Sequence, residues 1–106
     1  MPALPPLTAE DRAAALEKAA RVRRERSEVK AQLKRGTTTL PAVLEQGKTD
    51  EVIGKTKVSA LIESVPGVGK IRRAQIMTRL GIADSRRVRG LGERQRAALE
   101  LEFAAA

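Results

Sequence analysis

The feature that most constrains the fold of this chain is a stretch from Ala9 to about Lys34 that contains neither glycine nor proline. Alanine, glutamate, lysine and arginine dominate it, and these residues have high helix propensities. Thr8 is suited to cap a helix at its N-terminus, and Gly36 to end one. We therefore predict one long helix. Its apolar stripe is stronger towards Val29 and Leu33, so we expect the second half to pack on the rest of the chain and the first half to project as a charged arm.

Glycine and proline divide the remainder into short segments, and none of them alternates with the period of a strand. The predicted fold class is all-α. Residues 1–35 comprise an extended, proline-rich start and the long basic helix, and residues 36–106 form a small helical domain; together they make one structural unit. We expect helices over residues 40–45, 57–64, 70–80 and 93–103, a helical turn through Ile53 capped by Asp50, and a short basic turn capped by Asp84 or Ser85.

The composition excludes several functional classes. The 106 residues include no Cys, His, Tyr or Trp, and Phe103 is the only aromatic residue. Disulfides, zinc fingers, thiol or histidine catalysis and base stacking on several aromatic rings are therefore excluded. We expect no enzyme activity, no catalytic residue, no metal, no cofactor and no small-molecule substrate.

The chain offers no sign of a membrane partner. No apolar run approaches the roughly 20 residues of a membrane span. The apolar face of the basic helix is mostly alanine, too weak to insert into a membrane surface. The start has three prolines and no basic n-region, unlike a signal peptide. We expect a cytoplasmic location, and the absence of disulfides fits a reducing cytoplasm, although a chain without cysteine does not by itself reveal its redox compartment.

Positive charge is concentrated at the two ends of the chain. The net charge is +8, and fourteen of the 21 basic residues are arginines. Residues 36–66 have a net charge of −1, between +4 in residues 1–35 and +5 in residues 67–106. The dense clusters Arg21–Arg26 and Arg86–Arg89 favour binding to a polyanion over mere solvation of helix surfaces, since the arginine fork fits phosphate.

One hairpin motif has the features of a phosphate-binding site. Pro66-Gly67-Val68-Gly69 lies between two predicted helices and is followed at once by basic residues. The glycines permit positive φ and a close approach of phosphate, Val68 anchors the turn in the core, and the next helix N-terminus is an anion site. We expect Ile71, Ala74 and Ile76 or Met77 to face inward, with Ala74 allowing close helix packing. The candidate phosphate-binding residues are Gly67, Val68, Gly69, Lys70, Arg72 and Arg73. An ordinary αα-hairpin with a glycine cap is the alternative interpretation.

The hairpin resembles the helix-hairpin-helix and helix-two-turns-helix modules, which hold one nucleic-acid backbone strand without reading bases. The resemblance then extends over nearly the whole chain, from about Leu4 to Phe103, to the actinobacterial (mycobacterial and streptomycete type) integration host factors. The matching segments are Leu4-Pro5-Pro6-Leu7-Thr8, Arg12-Ala13-Ala14-Ala15-Leu16-Glu17-Lys18-Ala19, Gly54-Lys55, Lys57-Val58-Ser59-Ala60-Leu61, Pro66–Lys70, Gln75-Ile76-Met77 and Arg86-Arg87-Val88-Arg89-Gly90-Leu91-Gly92.

This resemblance implies a long N-terminal helix on a small domain with a helix-two-turns-helix like that of a ribosomal protein. It implies a nucleoid-associated protein that binds double-stranded DNA with little sequence preference, bends and compacts it, influences DNA topology and assists phage integration, with phage integrase as a further partner. The hairpin residues carry over as DNA-binding, as does a second patch of Arg86, Arg87 and Arg89. Lys57 is a weaker candidate, expected beside the hairpin.

Two alternatives stay open at this point. The first is a structured-RNA-binding module, because ribosomal proteins share this hairpin and are equally basic. The second is a DNA glycosylase with an N-terminal proline nucleophile, which Pro2 would supply after removal of Met1. Residue 3 is Ala, where such enzymes carry an acidic partner, and both a β-rich catalytic domain and a zinc site are missing.

Overall fold

Six helices and one 3₁₀ turn account for most of the chain in the computed structural model, which describes residues 8–104. The helices are α1 (Ala9–Arg35), α2 (Leu40–Gln46), α3 (Glu51–Gly54), α4 (Val58–Ser64), α5 (Gly69–Leu80) and α6 (Glu93–Glu102), and the 3₁₀ turn spans Val88–Gly90. Within residues 8–104 there is no strand, only one isolated bridge between Lys57 and Arg87. The all-α prediction is confirmed. The proline-rich start, expected to be extended, lies outside the described residues.

Helix α1 begins and ends where the sequence predicts. The Thr8 hydroxyl accepts a hydrogen bond from the Asp11 amide at 3.0 Å, and the Asp11 carboxylate accepts one from the Thr8 amide at 3.2 Å. This reciprocal pair satisfies two amides that the helix itself leaves without partners. Gly36 adopts φ 74° and ends the helix, a conformation that costs other residues free energy.

The two halves of α1 differ in burial. Residues 8–19 are exposed, whereas Val22 and Val29 are half-buried and Leu33 is fully buried. The second half packs on α3 and α4. The prediction of a docked second half and a projecting first half is therefore confirmed.

A single apolar cluster holds the short helices together. Each is too short to be stable alone in water, so burial against its neighbours must stabilise it. All six helices contribute side chains to it, including Ile53 of the short α3. Its most deeply buried members are Leu33, Leu40, Val43, Leu44, Val58, Leu61, Ile62, Met77, Val88 and Leu99.

The inward face of α5 is only partly the one predicted. Ile71 is 79% exposed and Ala74 is exposed, so neither contributes to close helix packing. Ile76 and Met77 are both buried, and the stripe continues back to Arg73, which is half-buried. The prediction for Ile71 and Ala74 was wrong because the face that α5 buries depends on how the helix docks on its neighbours, which helical periodicity alone does not determine.

Within residues 8–104, no helix combines the length and the apolar character needed to cross a membrane.

Candidate nucleic-acid interface

The hairpin between α4 and α5 exposes backbone at its tip. Gly67 has φ 80° and Gly69 has φ 66°, so both glycines adopt the left-handed conformation expected of them. A Cβ at either position would find no heavy atom within 4 Å, so the surface outside the turn is open. Val68 between them is 8% exposed and fastens the turn to the core. The turn therefore offers backbone to an incoming group while its centre stays fixed.

The N-terminus of α5 is a site for an anion. No side chain caps it, and the first amides of a helix have no partner inside the helix. Those amides and the helix dipole favour a negatively charged group such as phosphate. Lys70 and Arg72 are exposed on the same first turn, and within the described residues neither forms an ion pair. Both cations are thus available to a phosphate bound there.

Helix α1 completes this site with a residue that the sequence did not indicate. Lys34 lines an open cleft of about 410 Å³ together with Glu63 and the hairpin residues 64–69. Lys34 is one of many cations on α1, and only the docking of that helix brings it to the hairpin. We call this surface, formed by Lys34, the hairpin, Lys70 and Arg72, the hairpin surface.

Arg73 differs from its neighbours. Its Nε lies 3.6 Å from Glu63 Oε2, and its Nη1 lies 3.7 Å from Asp84 Oδ1. The side chain is only 22% exposed. The structure thus places Arg73 between two carboxylates of its own chain.

Backbone pairing builds the second predicted patch. The Val58 amide donates to the Arg86 carbonyl at 3.0 Å, and the Val88 amide donates to the Thr56 carbonyl at 3.0 Å. Val88 is fully buried, so it anchors the segment. Arg86 Nη1 donates to the Gly90 carbonyl at 3.0 Å, and Arg87 Nη1 donates to the Lys55 carbonyl at 2.5 Å. These bonds hold the two guanidinium groups at the surface in defined positions.

Lys57 lies beside this patch and not beside the hairpin. It precedes α4, whereas the hairpin follows α4, and its backbone pairs with Arg87. The expected place was wrong because the segment before α4 folds against the arginine segment that follows α5. Only the tertiary structure brings these segments together.

The patch also gains cations from elsewhere in the chain. Arg26, Lys55, Arg87 and Arg89 line an open cleft of about 600 Å³ with Gly90, and no acidic side chain lines it. Arg26 belongs to a cluster that the charge pattern had singled out, whereas Lys55 lies in a segment that matches the family but was not a candidate contact. We call this surface, with Arg86, the arginine surface.

One cation of the arginine surface is partly neutralised. Lys55 Nζ donates to Glu51 Oε1 at 2.6 Å. This hydrogen bond and the charge of Lys55 hold the pKa of Glu51 below its usual value, and the charges of Lys18 and Arg89 act in the same direction. Arg26, Arg87 and Arg89 form no ion pair within residues 8–104, so they carry most of the attraction for an anion.

The two surfaces adjoin opposite ends of α4. That helix has seven residues, so its ends are separated by about 10 Å along the axis. Each surface also includes one α1 cation, Lys34 at the hairpin and Arg26 at the arginine surface. The arrangement can hold phosphate groups at two places on one small domain.

Known proteins share both the fold and the sequence. The S13-like H2TH domain family matches residues 33–103. The integration host factor of Streptomyces coelicolor is 66% identical over 101 residues, covering 95% of this chain and 94% of that protein. The integration host factor of Mycobacterium tuberculosis is 60% identical over 104 residues, covering 98% and 99%.

A solved structure of a related protein has the same fold as this chain. The structure of sIHF bound to an 8-bp palindromic DNA superposes with a TM-score of 0.81 at 62% identity, covering 83% of this chain and 99% of that chain. The similarity in sequence and in fold thus covers most of the molecule. The chain belongs to the integration host factor family of actinobacteria, which is built on an S13-like helix-two-turns-helix domain.

Proposed function

We propose that this chain is a nucleoid-associated protein that binds double-stranded DNA through its phosphate backbone. The observation that carries the proposal is the uncapped N-terminus of α5, with positive-φ glycines just before it and at its first residue, and with Lys34 and Lys70 beside it. Amides, a helix dipole and two lysines together suit a backbone phosphate. The complex of the related sIHF with duplex DNA supports the same ligand.

Binding of this kind depends little on base sequence. Contacts to phosphate position a protein on the duplex but carry no direct sequence information. Neither the hairpin surface nor the arginine surface presents an Asn or Gln side chain for bidentate contact with a base edge. We therefore expect similar affinities for unrelated duplexes and a strong dependence on salt.

Two cationic surfaces on one domain favour bending and compaction. The hairpin surface would hold one duplex segment, and the arginine surface would hold a second segment or the far side of a bend. Neutralising phosphates on one side of a duplex favours bending, and bridging two segments compacts DNA. Membership of the family supports further roles in DNA topology and in phage integration, with an integrase as partner, and a location at the nucleoid in the cytoplasm.

RNA binding is the second candidate, because the matched domain is named for its likeness to the ribosomal protein S13. Fluorescence anisotropy separates the two candidates. The protein is titrated into a random-sequence duplex and into a structured RNA of equal charge, each at two salt concentrations. Tighter, salt-sensitive binding to the duplex is expected. A preference for the RNA would overturn the proposal.

The proposal assigns a binding role without catalysis. The relatives are named as host factors and not as enzymes. Pro2, the residue that would act as a glycosylase nucleophile, lies outside the described residues. Incubation with abasic DNA and borohydride tests this point, since a covalent adduct would show that the chain has lyase chemistry.

A further inference from the structure

Of the three cations that directly follow the hairpin, Lys70, Arg72 and Arg73, only Arg73 has surroundings that do not match those of a phosphate ligand. Its neighbour Arg72 is exposed and has no ion pair within residues 8–104. Arg73 is 22% exposed and lies between the carboxylates of Glu63 and Asp84. It also continues the buried stripe of Ile76 and Met77 on α5. Its guanidinium is therefore directed at its own chain.

The Glu63 carboxylate needs a neutralising cation because of its position beside the hairpin. It lies in the last turn of α4, is 36% exposed, and lines the same cleft as Lys34 and the hairpin. An unpaired carboxylate in that cleft would repel a phosphate at the N-terminus of α5. Because both side chains are partly buried, their interaction is screened less than that of a surface pair.

Asp84 has a smaller part. It is 85% exposed, so water screens its charge, and exposed pairs of this kind contribute little. Glu63 is the partner through which Arg73 can influence the hairpin surface.

We propose that Arg73 is a positioning residue for DNA binding: it neutralises the charge of the Glu63 carboxylate beside the hairpin and does not itself contact phosphate. The inference rests on the proposed DNA-binding function. It assigns different roles to two adjacent arginines, Arg72 to phosphate and Arg73 to the protein.

A rescue experiment distinguishes the two roles. R73Q leaves Glu63 unpaired, so its affinity for a random-sequence duplex should fall by about tenfold. E63Q in the same molecule removes the uncompensated charge. The double variant should recover to within about threefold of the wild-type affinity, with the wild-type slope of log K against log salt concentration.

R72Q is the matched control, because it removes the same charge one position away on the same helix. It should weaken binding and lower the magnitude of the salt slope by about 0.9, the effect of losing one phosphate contact. Adding E63Q to R72Q should not restore the slope. If E63Q/R73Q instead stays weak with a slope reduced like that of R72Q, Arg73 contacts phosphate and the inference is overturned.

Two further measurements keep the result unambiguous. Thermal unfolding is recorded for every variant; if R73Q alone is not folded at the assay temperature, the double variant decides, because it has no unpaired carboxylate at residue 63. The wild-type titration comes first. A wild-type protein that does not bind the duplex would overturn the proposed function, whereas normal wild-type binding with an unrescued double variant would overturn only the role of Arg73.

Discussion

At the scale of single residues, the hairpin shows how position determines the role of a basic side chain. Lys70, Arg72 and Arg73 share one helical turn, yet two are exposed and one lies half-buried between two carboxylates. Helical geometry explains the difference between Arg72 and Arg73, since consecutive residues point about 100° apart around a helix. A run of cations in a sequence therefore marks a charged region, and only burial shows which of them are available to a ligand.

Reversing the charge of Lys70 should weaken DNA binding equally for all sequences. Lys70→Glu places a carboxylate beside the anion site of α5, so we expect a loss of tenfold or more and a salt slope smaller in magnitude by about 0.9. Anisotropy titrations at several salt concentrations, on two unrelated duplexes, measure both. Arg94→Glu on α6, outside both clefts, has nearly the same effect on net charge and should change binding much less. Unchanged affinity for Lys70→Glu would mean that the hairpin is structural.

Gly47 is constrained by packing and not by its backbone angles. Its φ is −64°, but a Cβ would lie 2.6 Å from Val88 Cγ1 in the core. Gly47→Ala should therefore lower the free energy of unfolding by about 1–3 kcal/mol. Urea unfolding gives this value directly.

Gly90→Ala serves as the comparison for that measurement. Gly90 is exposed, and its Cβ would meet only the flexible Arg86 side chain, at 3.4 Å. We expect a neutral or slightly stabilising effect, up to about 1 kcal/mol, through the unfolded state. Similar losses in both variants would contradict the packing explanation.

At the scale of elements, α1 is one continuous helix with two functions. Its second half supplies Leu33 to the core and Arg26 and Lys34 to the two cationic surfaces. Its first half contributes no side chain to the core cluster. Its order there depends on the Thr8 capping box and on helix propensity.

Two leucine substitutions test this division. Leu33 is 1% exposed and Leu16 is 71% exposed. Leu33→Ala should lower the free energy of unfolding by about 2–5 kcal/mol, because it leaves a cavity where α1 meets the domain. Leu16→Ala should change it by no more than about 0.5 kcal/mol. Chemical unfolding followed by circular dichroism measures both, and a large loss for Leu16→Ala would show that the arm packs on something in solution.

At the scale of the whole molecule, we expect the hairpin surface and the arginine surface to contribute differently to DNA binding and to DNA compaction. Arg86→Ala combined with Arg87→Ala removes charge from the arginine surface and leaves the hairpin surface intact. We expect compaction of long DNA to fall several-fold more than affinity for one short duplex, because bridging needs both surfaces. Atomic force microscopy of plasmid DNA and anisotropy of the short duplex give the two quantities.

Lys70→Gln is the matching variant for the hairpin surface, which we propose holds the first duplex. It should reduce the affinity for the short duplex and the compaction of long DNA together. Unfolding curves of the double arginine variant check that losing the hydrogen bonds to Gly90 and Lys55 has not unfolded the segment. Equal losses of binding and compaction in the arginine variant would contradict the separation of roles.

The sequence by itself determined the local features of this protein. Helix bounds followed from caps and breakers, as at Thr8, Gly36 and Gly81, because a helix end depends on residues within a few positions of it. The positive φ at Gly67 and Gly69 followed in the same way. The net charge of +8, and the classes of chemistry that the missing residue types exclude, are properties of composition.

Only the tertiary structure decided which distant residues meet. In the folded chain Arg73 lies near Glu63, and Ile71 is exposed to solvent. Lys57 lies beside the arginine surface and not beside the hairpin. Arg26 and Lys34 line the two clefts. The physical reason is that docking angles depend on apolar burial summed over all the helices at once. That burial involves residues far apart in the sequence, so no single segment determines which side chains are in contact in the folded protein.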